Sequence, residues 1–139
     1  MELNSRGFTL IELVVVVVII GILSTMIMPQ IVNTAQEIAL KSDIHAAQSI
    51  QNAIDMYQAN GNTLNINSGP ISEATYKSLL DANYLTNKDF KDNTLNLRLK
   101  GNALTYSSTD GVLLNVSSDY SELTQNLDDS LKNWIAGGN

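Results

Sequence analysis

Residues 7–30 read Gly7-Phe8-Thr9-Leu10-Ile11-Glu12-Leu13-Val14-Val15-Val16-Val17-Val18-Ile19-Ile20-Gly21-Ile22-Leu23-Ser24-Thr25-Met26-Ile27-Met28-Pro29-Gln30. From Phe8 to Met28 the run is 21 residues long, and its one charge is Glu12. As a helix rising about 1.5 Å per residue it spans roughly 30 Å, the depth of the bilayer hydrocarbon. The block from Val14 to Ile20 is β-branched and would favour a strand in water. In lipid the backbone must satisfy its own hydrogen bonds, so a helix is expected. A carboxylate in the first turn of that helix costs about 2.5–3.5 kcal/mol on insertion scales. Something must offset it.

Three readings compete for this segment. A secretory signal would be cut at the far end, but the apolar run exceeds a typical h-region and no small-x-small site precedes Pro29. A plain membrane anchor explains the length and leaves Gly7-Phe8 and Glu12 without a reason. The third reading takes Met1–Gly7 as a removable leader. Cleavage between Gly7 and Phe8, where the missing side chain lets a protease approach the backbone, frees a cationic amine on Phe8. If several such helices bundle, Glu12 of one copy pairs with the Phe8 amine of the next. That pairing removes the cost of an unpaired charge in a low dielectric and marks the axial register between helices, as a buried polar residue does in a coiled coil. Arg6 and the α-amine, with no Lys or Arg following until Lys41, favour an N-terminus in the cytoplasm.

Gly7-Phe8-Thr9-Leu10-Ile11-Glu12-Leu13 resembles the prepilin motif of type IV pilins and type II secretion pseudopilins. A short polar leader, Gly before the cut, Phe after it and Glu at the fifth mature position all match, and Gly21 and Pro29 also fit the pilin pattern. The resemblance covers about the first 30 residues. It implies cleavage after Gly7 and N-methylation of Phe8 by a membrane prepilin peptidase. It further implies extraction of the subunit into a helical filament by an assembly platform with a cytoplasmic ATPase, with Glu12 as the assembly carboxylate. Minor pilins would be further partners.

Pro29 lacks a backbone donor and clashes with the preceding turn, so a kink is expected there. One reading makes it the end of the membrane span. The other, implied by the family, is unwinding between Gly21 and Pro29 on assembly, with Ser24 and Thr25 able to bond freed backbone groups. Beyond it, Leu40, Ile44, Ala47, Ile50 or Gln51, Ile54 and Tyr57 step by threes and fours. Ala35, Ile38 and Ala39 extend this stripe, and Lys41, Asp43, Gln48, Asn52 and Asp55 are expected mostly off it. Asn60-Gly61 is the stop signal. Residues 8–60 thus read as one long helix, with 8–29 for membrane or filament core and an amphipathic half at 30–60.

Residues 61–139 read as a small α+β head. A loop follows to Pro70, then a short helix from Ser72 to Ala82 with Ser72 as N-cap and Tyr76, Leu79 and Leu80 on its apolar face. Asn83 ends it. Alternating Leu95, Leu97 and Leu99 predict a half-buried strand over 94–99, turned at Gly101-Asn102 into a strand at 103–107. Asp110-Gly111 is a second hairpin signal before a strand at 112–116. These three strands form an antiparallel meander laid on the long helix. Asp119 and Glu122 have capping-box spacing, so a last helix is expected over 119–135 with Leu123, Leu127, Leu131 and Trp134 as its stripe. The tail helix closes the core or contacts a neighbouring subunit. Together these elements make a pilin-like α+β fold: a long N-terminal helix, about three strands and an additional C-terminal helix.

The totals limit the function. The chain of 139 residues carries a net charge of −6, divided evenly between residues 1–60 and 61–139, and has no cysteine. Disulfides and thiolate metal sites are excluded, and no stretch is basic enough to suggest nucleic-acid binding. There is no P-loop, nucleophile elbow or metal-ligand spacing, so no enzyme, cofactor or metal is expected. His45, the one histidine, reads as a solvated helix residue. Asp110, Asp119, Asp128 and Asp129 include possible calcium ligands, but turn, capping and surface roles fit them better because the EF-hand pattern is absent. The expectation is a structural subunit of a type IV pilus, held in the cytoplasmic membrane before assembly and in a cell-surface filament after. The alternative is a pseudopilin of a type II secretion or competence system. A monomeric membrane-anchored binding module is a second class, distinguished by indifference to loss of Glu12.

Overall fold

The computed structural model describes residues 8–86, 88, 90–91 and 94–137. The expected leader, with Gly7, lies outside them. The chain divides into two compact units, one ending at Ala35 and the other beginning at Gln36.

Helix α1, Leu10–Ala59, supplies the described helical part of the first unit. Large apolar side chains there, from Phe8 to Val32, are all exposed. Among the described residues α1 is the one helix long and apolar enough to cross a membrane. The β-branched run is helical, as expected where a backbone has no neighbour to bond.

In the second unit, β1 (Gly69–Pro70), β4 (Ala103–Ser107) and β5 (Gly111–Asn115) form an antiparallel sheet in the order β1-β4-β5. Between them in sequence come α2 (Glu73–Asp81) and a two-stranded ribbon of β2 (Phe90–Lys91) and β3 (Thr94–Leu95). A 3-10 segment (Ser118–Asn126) and the short α3 (Asp129–Lys132) follow β5. The core joins Leu40, Ile44, Ala47, Ile50, Ala53 and Ile54 of α1 to Leu104, Val112 and Leu114 of the sheet, with Tyr76, Leu79 and Leu127 closing the sides. The expected stripe on α1 is present from Ala39 onward, but Ala35 and Ile38, expected to extend it, are exposed. Ser72 caps α2 by accepting from Thr75 N at 3.3 Å, and Asn83 ends that helix at a left-handed φ of 59°.

Asp43, expected on the polar face, is fully buried. Its carboxylate accepts from Arg98 N at 2.6 Å, Leu99 N at 3.0 Å and Asn102 Nδ2 at 2.9 Å. This capture explains why the expected strand over 94–99 is shortened to β3. Backbone donors at 98 and 99 are spent on α1 instead of on a ladder. Leu95, Leu97 and Leu99 still turn inward, so the alternation identified the buried side chains but not the pairing. The first strand of the sheet is β1 instead, with Gly69 opposite Tyr106 and Pro70 opposite Thr105. Gly101-Asn102 is a turn but not a hairpin: Asn102 Oδ1 accepts from Ser117 N at 3.0 Å. The second hairpin stands, with Ser107 opposite Gly111.

The expected helix over 119–135 is two pieces separated by extended backbone at Leu127 and Asp128. Ser121 and Thr124 hydroxyls donate to carbonyls three residues back, at 3.0 and 2.6 Å. Such local bonds compete with an α-helix, and the Ser, Thr, Asp and Asn content of this stretch favours them. Ser117, not Asp119, occupies the N-cap position, and no capping box forms. The stripe residues still bury: Leu127 in the core, and Leu123, Leu131 and Trp134 against it. The chain then runs beside β5, where Leu114 N donates to Trp134 O at 2.7 Å and Ala136 N donates to Leu114 O at 2.9 Å.

Candidate functional site

The site is built by the first turn of α1. Helix N-termini leave backbone N–H groups unpaired, and a Thr followed three residues later by Glu can satisfy two of them reciprocally. Thr9 and Glu12 do so. Glu12 Oε2 accepts from Thr9 N and from Thr9 Oγ1, both at 2.8 Å, and Thr9 Oγ1 accepts from Glu12 N at 3.3 Å. Thr9-Leu10-Ile11-Glu12 is thus a capping box. The Thr-x-x-Glu spacing that signals it is present in the sequence. In the unassembled chain the helix end itself holds the carboxylate.

The arrangement has a chemical consequence. A carboxylate offers about four acceptor positions, and Thr9 engages one oxygen. The other oxygen is available to an amine. Phe8, directly before Thr9, is 81% exposed, and its nitrogen is the atom that cleavage after Gly7 would free. Candidate donor and acceptor therefore sit within one turn of each other on every copy.

Gly21 and Pro29 both lie within helical backbone. Nothing lies within 4 Å of the position a Cβ at Gly21 would take. Ser24 Oγ donates to Ile20 O at 2.7 Å and Thr25 Oγ1 to Ile22 O at 2.8 Å. These hydroxyls are satisfied on their own helix, which an apolar setting requires of them.

The remaining candidates are dispersed. His45 is exposed, with Nδ1 2.9 Å from Gln48 Oε1. Asp110 sits in the β4–β5 turn and accepts from Ser107 Oγ at 3.2 Å. Asp129 pairs with Lys132 at 3.8 Å, while Asp119 and Asp128 are exposed. Among the described residues no three His, Cys, Asp or Glu side chains group as a metal site would need.

One comparison with known proteins falls on the same segment. A family model described as the prokaryotic N-terminal methylation motif matches residues 3–28. Type II secretion system core protein G of Escherichia coli is 33% identical over 84 residues, which is 58% of each chain. The protein of that name from Pseudomonas aeruginosa is 47% identical over 58 residues, 40% of this chain and 39% of that one. From Vibrio cholerae it is 34% identical over 55 residues, 40% and 38%. The chain thus matches between about two fifths and three fifths of the length of these relatives. No solved structure matches.

Proposed function

Starting from a chain that belongs to the type IV pilin and pseudopilin family, we propose that it is a structural subunit, cut after Gly7, N-methylated at Phe8 and polymerised through α1. One observation carries this reading: the Gly7-Phe8 and Thr9–Glu12 constellation opens a helix whose large apolar side chains, up to Val32, are all exposed in the isolated chain. Such a surface needs lipid or other copies of itself. Membrane anchoring comes first, with the N-terminus inside. A prepilin peptidase, an assembly platform and its ATPase act next, and a filament follows.

The sequence by itself favours a pilus subunit, with a pseudopilin as the alternative. The relatives named above are secretion core G proteins, which favours the pseudopilin of a type II secretion system. No catalytic role is proposed.

Mass spectrometry of the mature N-terminus from native cells tests the processing: the expected species begins at methylated Phe8, and a chain still beginning at Met1 removes the proposal. Shed fibres against secretion of a reporter exoprotein, in a strain lacking this chain, separate pilus from pseudopilus.

A further inference from the structure

The second unit contains a groove of about 600 Å³ whose floor is the Ser42–Ser49 face of α1 and whose far wall is the loop that carries Leu97 and Arg98. Among the described residues its charged lining is two cations and one acid. Lys88 and Arg98 line it, His45 stands at its edge, and neither Lys88 nor Arg98 makes an ion pair among the described residues. The one acid in the lining is Asp43, whose two oxygens are taken by Arg98 N, Leu99 N and Asn102 Nδ2. Arg98 is held twice. Asp43 fixes its backbone, and its Nε donates to Ser42 Oγ at 3.2 Å. A guanidinium held this way loses little freedom when a carboxylate arrives.

Two cations lining one groove with no ion pair among the described residues stand out in a chain of net charge −6. The same chain carries its complement. Across the 3-10 segment and α3, Asp119, Glu122, Asp128 and Asp129 are all exposed against the single cation Lys132. Of these acids, only Asp129 has an ionic partner among the described residues.

We infer that the groove between α1 and the Arg98 loop is a head-to-head contact site, filled in the filament by the acidic C-terminal segment of a second copy. This rests on the polymerisation proposed above. A patch that meets a different patch on the next copy is a heterologous contact, the kind that builds open helices rather than closed dimers. Complementary charge fixes partner and register more than it adds raw affinity.

The test uses full-length chains in cells that assemble fibres. The protein has no cysteine, so the pair Ser49→Cys and Asp128→Cys is the only thiol chemistry present. Oxidation of fibres is expected to give ladders of this chain, and each single-cysteine variant none. Arg98→Glu with Lys88→Glu is expected to lower fibre yield at least tenfold at unchanged subunit level in the membrane, and added Asp128→Lys with Asp129→Lys to restore it. Fibres that form without a ladder, a ladder to a different protein, or a yield indifferent to charge reversal overturn the inference and leave polymerisation standing. Absence of any fibre from the unaltered chain overturns both. Should the reversed variant fail to accumulate, the cysteine pair alone decides.

Discussion

Glu12 is bonded to its own helix end before any neighbour arrives, which refines what its replacement does. Glu12→Leu removes a charge from lipid and a cap from α1 together. Membrane insertion is expected to persist while fibre formation falls below detection, read by carbonate extraction and by shearing. Thr9→Ala keeps the charge but breaks both Thr9 side-chain bonds, costing about 1 kcal/mol of helix-end stability. Amide exchange at residues 10–12 in detergent should rise about fivefold. Asp43 is the second residue of consequence. Asp43→Ala strands one buried and two part-buried donors and is expected to lower stability by about 3 kcal/mol, measured by denaturant unfolding in detergent. Burial also pushes the Tyr76 hydroxyl up to about 12. An unfolded tyrosine ionises near pH 10, so above that pH the unfolded chain releases a proton that the folded one keeps. Stability falls as pH rises from about 10 towards 12, and Tyr76→Phe should flatten that slope. Glu12 and Phe8 were legible in the sequence because motif and anomaly coincide. Asp43 was not, because a charge at helical spacing says nothing about a loop 55 residues away that needs an acceptor.

Among the elements, α2 and the amphipathic half of α1 were readable from period and caps, and the first half of α1 from its length and apolar composition, whereas pairing in the sheet was not. A two-residue strand such as β1 leaves no periodicity to read. Its Pro70 suits it to an edge, where a missing N–H costs nothing. The opposite edge, β5, is covered by side chain and chain end together. Val112 N donates to Gln51 Oε1 at 2.7 Å, and Leu114 pairs with Trp134 and Ala136. Exposed strand edges invite pairing with other chains, and this one is closed along its length. Gln51→Ala should cost about 1–2 kcal/mol by leaving Val112 N unpaired, with faster exchange at that amide as the check. Gly111→Ala should cost at least as much. The residue has φ +79°, and an added Cβ would meet the Gln51 amide that covers the edge. The broken tail helix shows the complementary limit. Leucine spacing located its buried side chains, but Ser and Thr bonding to nearby carbonyls decided its backbone.

For the whole molecule, two surfaces answer to two solvents. Residues up to Val32 present an apolar face to lipid or to like helices, and residues from Leu40 onward bury theirs within the second unit. The sequence puts the change of pattern at Pro29–Gln30, whereas the compact second unit begins at Gln36; the α+β class was plain in it. Which loops α1 would hold was not, since Asp43 and Gln51 act across 55 to 61 residues of chain. The closure of β5 also has an outcome in time. A ribosome delivers β5 before Trp134–Ala136, so a chain released after Asn115 presents β5 as an open edge, with Leu114 N and O lacking their partners at Trp134 and Ala136. Prematurely released fragments of this length should therefore stick to one another more than the full chain does.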